Sequence, residues 1–110
     1  EKIYRYEIYT PAACDDMMRN LGRNFWYEDE ALSQIPPYIE VFSKNGCVNA
    51  VRNEILIVNA PNNPYILSIF TKNNTDQRWA HENEAWTLTR KISKLLWHYF
   101  EPKDRWVAKE

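Results

Sequence analysis

Hydrophobic and polar positions change spacing several times along this chain. Residues 2–9 (KIYRYEIY) set Ile3, Arg5 and Glu7 against Tyr4, Tyr6 and Ile8. That alternation predicts a lead-in strand within residues 1–10. Thr10-Pro11 then offers an N-cap and a proline at the first helical position, with Asp15 and Asp16 early in the segment. Cys14, Met17, Met18, Leu21 and Phe25 share one face, so a helix is expected from about 11 to 23. Residues 26–37 read as irregular, because Pro36-Pro37 excludes a helix there. Strand patterns follow near 38–48, 51–59 and 64–72. The runs ILIV and YILSIF are apolar at consecutive positions, which predicts a sheet covered on both faces. Ala60-Pro61-Asn62-Asn63-Pro64 marks a turn and 73–76 a loop. A long helix is expected over 80–100 from the spacing of Ala85, Leu88, Ile92, Leu95, Leu96 and Tyr99, with Trp86, Trp97 and Phe100 widening the stripe. Pro102 ends it, and 101–110 reads as a loose charged tail.

Short connections between consecutive strands imply antiparallel neighbours, and the final helix must pack across them. The expected fold class is α/β in the α+β sense: an antiparallel three-stranded sheet with flanking helices. It forms one domain or partial domain, with helix and loop over 11–37 and strands over 38–72.

Composition narrows the functional classes. The 110 residues are 45% hydrophobic, with five Trp and seven Tyr, enough for a modest core. Net charge is −1 with basic residues dispersed, so no nucleic-acid partner is expected. Arg90, Lys91 and Lys94 read as the wet face of a helix. Two cysteines, Cys14 and Cys47, are too few for a disulfide scaffold or a structural zinc site, and neither metal nor cofactor is expected. No apolar run reaches the roughly 20 residues of a membrane span. The chain opens on Glu1 without a signal peptide, which suits a processed, trimmed or partial product. Glu28-Asp29-Glu30-Ala31-Leu32 reads as a solvated acidic turn. His81 and His98 stand alone, and Trp79, Trp86 and Trp97 read as packing residues. Asn73-Asn74-Thr75 matches a glycosylation acceptor triplet, which matters only in a eukaryotic secretory route.

The candidate chemistry lies at Ser43-Lys44-Asn45-Gly46, and two readings stand. Asn-Gly is a strong hairpin-turn signal, which would make Lys44 a polar flank. Alternatively, the segment lies inside a strand and the chain turns near Val48–Ala50. From Ile35 to Lys72 the sequence resembles the third, fourth and fifth strands of class A β-lactamases and their penicillin-recognising relatives. In that family a proline-containing loop precedes a strand ending in Lys-Thr/Ser-Gly. An arginine-opened strand, a proline turn, an apolar strand and a long C-terminal helix follow. The Thr10-Pro11 helix is similar to the family's threonine-proline-started helix, so the resemblance covers residues 10–100.

The resemblance implies a serine hydrolase that opens β-lactams through an acyl-enzyme. Lys44 would face a substrate carboxylate, Gly46 would let the strand lie close to the ligand, and the backbone N–H after it, that of Cys47, would serve the oxyanion hole. Arg52 would pair with the substrate carboxylate, and Asn45 would stand where the family has a hydroxyl residue. No Ser-x-x-K and no Ser-Asp-Asn occurs. The nucleophile and general base would therefore come from a preceding N-terminal segment or from another chain, and the 110 residues would not be catalytic alone. A β-lactam or peptidoglycan-like small molecule is the implied ligand, a missing N-terminal segment or homo-oligomer the implied partner, and the periplasm or exterior the implied location. The alternatives are a non-catalytic binding or assembly domain of the same ancestry, and an unrelated interaction domain in which Asn45-Gly46 is only a turn.

Overall fold

The computed structural model describes residues 1–22 and 28–109. Helix α1 spans Pro11–Leu21, a 3-10 helix covers Ala31–Gln34, strands β1, β2 and β3 span Val41–Val48, Val51–Val58 and Tyr65–Thr71, and helix α2 spans Glu84–Phe100. The strands form one antiparallel sheet in the order β1-β2-β3. Fold class and the order of α-helices and strands match the sequence reading, but the 3-10 helix at Ala31–Gln34 lies where an irregular segment was expected, since a single turn ends before Pro36.

Local signals explain the helix ends. Thr10 accepts a hydrogen bond from the Ala13 amide at 3.2 Å, and Pro11 occupies the first turn of α1. Gly22 closes that helix against the Phe42 ring, where an added Cβ would meet the ring at 3.4 Å. Cys14 and Met18 carry the buried face, while Phe25 of the expected stripe lies outside the described residues. For α2 the cap is Asn83, fully buried. Its side chain accepts from the Ala85 and Trp86 amides at 3.0 and 3.3 Å and donates to the Asp76 and Arg78 carbonyls. The helix therefore starts later than residue 80.

One face of the sheet meets α2 and the 3-10 helix. Ala31, Ile35, Leu56, Val58, Ala60, Leu67 and Trp97 form the core there. The opposite face is only partly covered. Phe42 packs at the end of α1, but Ile55, Ile66 and Phe70 are exposed, Phe70 at 66%. Coverage of both faces, expected from the apolar runs, does not hold among the described residues.

Three further expectations are corrected. Residues 2–9 are not a strand but turns, closed by local bonds such as Arg5 N–H to the Glu1 carbonyl and Glu7 N–H to the Lys2 carbonyl, both 2.9 Å. Tyr6 and Tyr9 sit at φ 59° and 58°, and the Tyr4 and Tyr6 hydroxyls are held by Asn59 and Asp15. Alternation alone could not make a strand where these local bonds close the backbone into turns. The buried face of α2 is also rotated from the expected stripe. It is Ala85, Trp86, Thr89, Ser93 and Trp97, whereas Leu88, Leu95 and Tyr99 face outward. Small residues are selected because the helix lies close to the 3-10 helix, where Ser93 Oγ donates to the Ala31 carbonyl at 2.7 Å. Finally, the tail is pinned at its start. Glu101 is buried and accepts from the Asn62 amide at 2.7 Å, and Tyr38 donates to Asp104 at 2.8 Å.

The rotated face is testable by urea unfolding of single variants. Leu56→Ala should lower stability by about 2–5 kcal/mol. Leu95→Ser should stay within about 0.5 kcal/mol. A large loss at Leu95 would contradict this helix orientation.

Candidate functional site

Lys44, Asn45 and Gly46 lie inside β1, and the chain turns at Asn49-Ala50. The hairpin-turn reading of Asn45-Gly46 is thereby excluded. β1 is an edge strand. Cys47 is registered opposite Arg52, whose amide points to β3 and donates to Thr71 Oγ1 at 3.1 Å. An Arg52 amide turned toward β3 makes Arg52–Cys47 a non-hydrogen-bonded pair of the β1–β2 ladder, so the Cys47 N–H points away from β2. Asn45, two residues earlier, repeats that direction. Among the described residues no strand pairs with this edge of β1, which thus presents two backbone donors on the segment singled out for oxyanion binding.

Side chains alternate around this edge. Lys44 is exposed, stands across from Ile55, and donates to the neighbouring Asn45 carbonyl. At Gly46 an added Cβ would meet nothing within 4 Å, so the chain's own packing does not demand a glycine there. Asn45 and Cys47 face inward. Asn45 Nδ2 donates to both Glu30 carboxylate oxygens, at 2.9 and 3.0 Å, and the Cys47 thiol donates to Glu30 Oε1 at 3.6 Å. Burial pushes the Cys47 thiol above its ordinary value, which suits a backbone role better than a nucleophilic one.

Arg52 does not stand on the rim. Its exposure is 2%, and its terminal nitrogens donate to the carbonyls of Val48, Asn49, Val51, Gln77 and Arg78. The guanidinium lies between Trp79 and Trp86, 4.4 and 4.7 Å from their ring centres. The expectation that it meets a substrate carboxylate is corrected: the side chain is buried, and its terminal donors are spent on the hairpin tip and the 77–78 loop. The tryptophans are packing residues, as read from the sequence, with a cation between two of them. His81 is not isolated, since its Nδ1 lies 2.7 Å from Asp29. Arg90 is not simply a wet-face residue either; it donates to the Asp29 and His81 carbonyls, both at 2.7 Å.

Sequence reasoning missed two residues. Glu30, read as part of a solvated turn, is 3% exposed, and Glu54 on β2 is 4% exposed. Glu54 Oε2 accepts from the Ala31 amide at 2.7 Å, while its Oε1 is buried without a partner. Burial, then the neighbouring Glu30 carboxylate, pushes Glu54 up to about 8, and burial raises Glu30 as well. Period-two alternation could have found Glu54, since it shares a face with Leu56 and Val58. A cleft of about 880 Å3 lies at the other end of β1, between α1, Pro36-Pro37 and Trp106, and includes none of the predicted site residues.

With this geometry in hand, similarity decides the ancestry. A model of the beta-lactamase enzyme family matches residues 1–100. The chain belongs to that family. Solved structures agree at the level of fold. PBP-A is 20% identical with a TM-score of 0.76, covering 92% of this chain and 36% of its own. A beta-lactamase from Sphaerobacter thermophilus is 15% identical with a TM-score of 0.78, covering 94% and 38%. The TLA-3 extended-spectrum beta-lactamase is 20% identical with a TM-score of 0.72, covering 89% and 37%. The chain therefore spans little more than a third of these β-lactamase-like structures. No curated protein matches it. Among the described residues, no helix is long and apolar enough to cross a membrane and no acidic, histidine or cysteine cluster is fit to hold a metal.

The raised Glu54 carboxyl makes stability depend on pH. Between its ordinary 4.5 and about 8, the folded chain keeps a proton that the unfolded chain has released. Stability from this group therefore falls as pH rises through that window, by at most about 1.4 kcal/mol per pH unit, and levels off above it. Urea midpoints at stepped pH should show this fall in the parent and a flatter profile in Glu54→Gln. Equal slopes in the two proteins would contradict it.

Proposed function

We propose that the chain supplies one wall of the active site of a serine β-lactamase-like hydrolase. The observation that carries this reading is the outward direction of the Cys47 and Asn45 amides on the free edge of β1. In the complete enzyme a serine outside these residues attacks the lactam carbonyl, and the carbonyl oxygen gains negative charge. The Cys47 N–H donates to that oxygen, and preorganised donors of this kind are worth most where charge develops. The Lys44 ammonium faces the ligand carboxylate. Gly46 leaves the edge bare, so the ligand backbone comes close. Asn45 does not replace the family's hydroxyl toward substrate; its amide holds Glu30 instead. The periplasm or exterior, where the family's ligands occur, is the matching location.

The chain alone is not expected to hydrolyse a chromogenic cephalosporin above background, because it carries no Ser-x-x-K. Binding tests the wall directly. Titrating benzylpenicillin into isotope-labelled chain should shift the amide resonances of residues 44–47, and Lys44→Ala should weaken the effect several-fold. Shifts confined to the cleft beside Pro36-Pro37 and Trp106, or unaffected by Lys44→Ala, would overturn the reading.

A second reading, a non-catalytic assembly domain of the same ancestry, draws support from the outward-facing Ile66 and Phe70 on β3 and Leu95 and Tyr99 on α2. Apolar surface of this kind marks an interface. Under either reading β3 is an edge that a preceding segment or a second copy covers. Light scattering across a dilution series should show concentration-dependent mass. A clean monomer at high concentration, with slow amide exchange over 65–72, would remove the need for a covering partner.

A further inference from the structure

The buried carboxyl groups of Glu30 and Glu54 have a geometry that the family resemblance does not address. Asn45 stands opposite Glu54 in the β1–β2 register and donates to Glu30. Glu30 directly precedes Ala31, whose amide donates to Glu54. Both residues line one narrow void, too small for a water, with Arg52, Asn53, Trp86 and Thr89. The donors are unequally shared. Glu30 receives the Asn45 amide on both oxygens and the Cys47 thiol on one. Glu54 receives the Ala31 amide on Oε2, the Leu32 amide also favours its anion, and Oε1 is buried without a hydrogen-bond partner. A buried carboxylate oxygen without a donor is costly, and two adjacent buried anions more so.

The surrounding charges do not neutralise the pair. Among the described residues no ion pair reaches either carboxyl group. On β1, Lys44 is exposed on the other face; its charge still favours the Glu30 anion but forms no ion pair with it. On β2, Arg52 directs its terminal nitrogens to carbonyls, leaving only its Nε in the void without a partner. On the entry loop, Asp29 adds a further negative charge beside Glu30. From α2, Arg90 reaches the Asp29 carbonyl rather than either side chain.

We infer that Glu30 and Glu54 hold one proton between them at neutral pH, seated on Glu54 Oε1, and that this proton keeps β1 clamped to the 3-10 helix. Glu30 is the anion, and its grip on Asn45 and Cys47 holds the edge strand against the 3-10 helix entry. When the proton leaves to solvent, two like charges face each other, Glu30 is pushed from the void, and Asn45 loses its acceptor. Glu30 and Glu54 are thus positioning residues for the edge strand. The proposal depends on the β-lactam reading only for the use of that edge.

The test is NMR of the parent chain with carboxyl-labelled glutamate, from about pH 5 to about pH 9. The expected result is a Glu30 carboxyl carbon that ionises first and a Glu54 carbon that titrates later, in the mildly alkaline range. The Asn45 side-chain amide and the Cys47 backbone amide should shift with the Glu54 midpoint. Glu54→Gln, which mimics the protonated acid, should make the Asn45 amide insensitive to pH. If Glu54 ionises in the ordinary carboxylate range, Oε1 has paired with Arg52 Nε and the inference falls. It falls equally if the Asn45 amide ignores a Glu54 titration. Should Glu54→Gln not fold, the parent titration alone decides. None of these readouts involves a β-lactam, so failed ligand binding and a misplaced proton are separable.

Discussion

The central constraint is that β2 buries a guanidinium and a carboxyl group two residues apart on its core face, and main-chain groups serve both. Arg52 gathers carbonyls from the β1–β2 turn and from the 77–78 loop. Glu54 gathers the amide at the start of the 3-10 helix. Each charged side chain draws in segments distant in sequence. The hairpin tip, the approach to α2 and the entry to the 3-10 helix are all tied to one strand. Backbone dipoles replace counter-ions here, which leaves the pair's proton balance to the protein interior.

That arrangement also fixes how α2 can pack. A helix lying over Glu54 and the 3-10 helix needs a narrow face, and Ala85, Thr89 and Ser93 provide one. The large residues Trp86 and Trp97 fill the two flanks, Trp86 against Arg52 and Trp97 against Leu56 and Val58 in the core. Leu88, Leu95 and Tyr99 are left outside because the close approach excludes them. Their exposure is a consequence of which side had to be small.

Much of the fold was legible because strand alternation, turn chemistry and helix caps agree locally with the final structure. β1, β2 and β3 and the proline-rich turn between the last two follow directly from that pattern. What failed depended on partners distant in sequence. Residues 2–9 alternate, but Tyr4 and Tyr6 find Asn59 and Asp15 and the backbone closes on itself. The α2 stripe was assigned by hydrophobicity, yet serine and threonine occupy the close contact. At the site, the position of Lys44-Asn45-Gly46 within a strand could be posed as an alternative but not chosen, since a turn at Asn49-Ala50 carries no glycine. Glu30 was hidden because an acidic residue in a turn reads as solvated until a sheet is seen to cover it, whereas Glu54 was signalled by its alternation with Leu56 and Val58.

The same constraint separates what the edge strand keeps from what it has lost relative to the family pattern. A backbone donor needs only the right register, and the register here aims Cys47 outward whatever its side chain. A hydroxyl aimed at a ligand needs its side chain free, and Asn45 is not free while Glu30 lacks a better donor. Arg52 is withdrawn in the same way by the carbonyls and rings around it. Under the proposed reading, recognition of a ligand carboxylate at this wall falls to the Lys44 ammonium, a compact point charge without a forked partner. The Cys47 N–H proposed for the oxyanion, in contrast, keeps its outward direction through the chain path. Under the proposed reading, such a wall stabilises developing charge more than it discriminates between ligands, and discrimination comes from surfaces beyond β1.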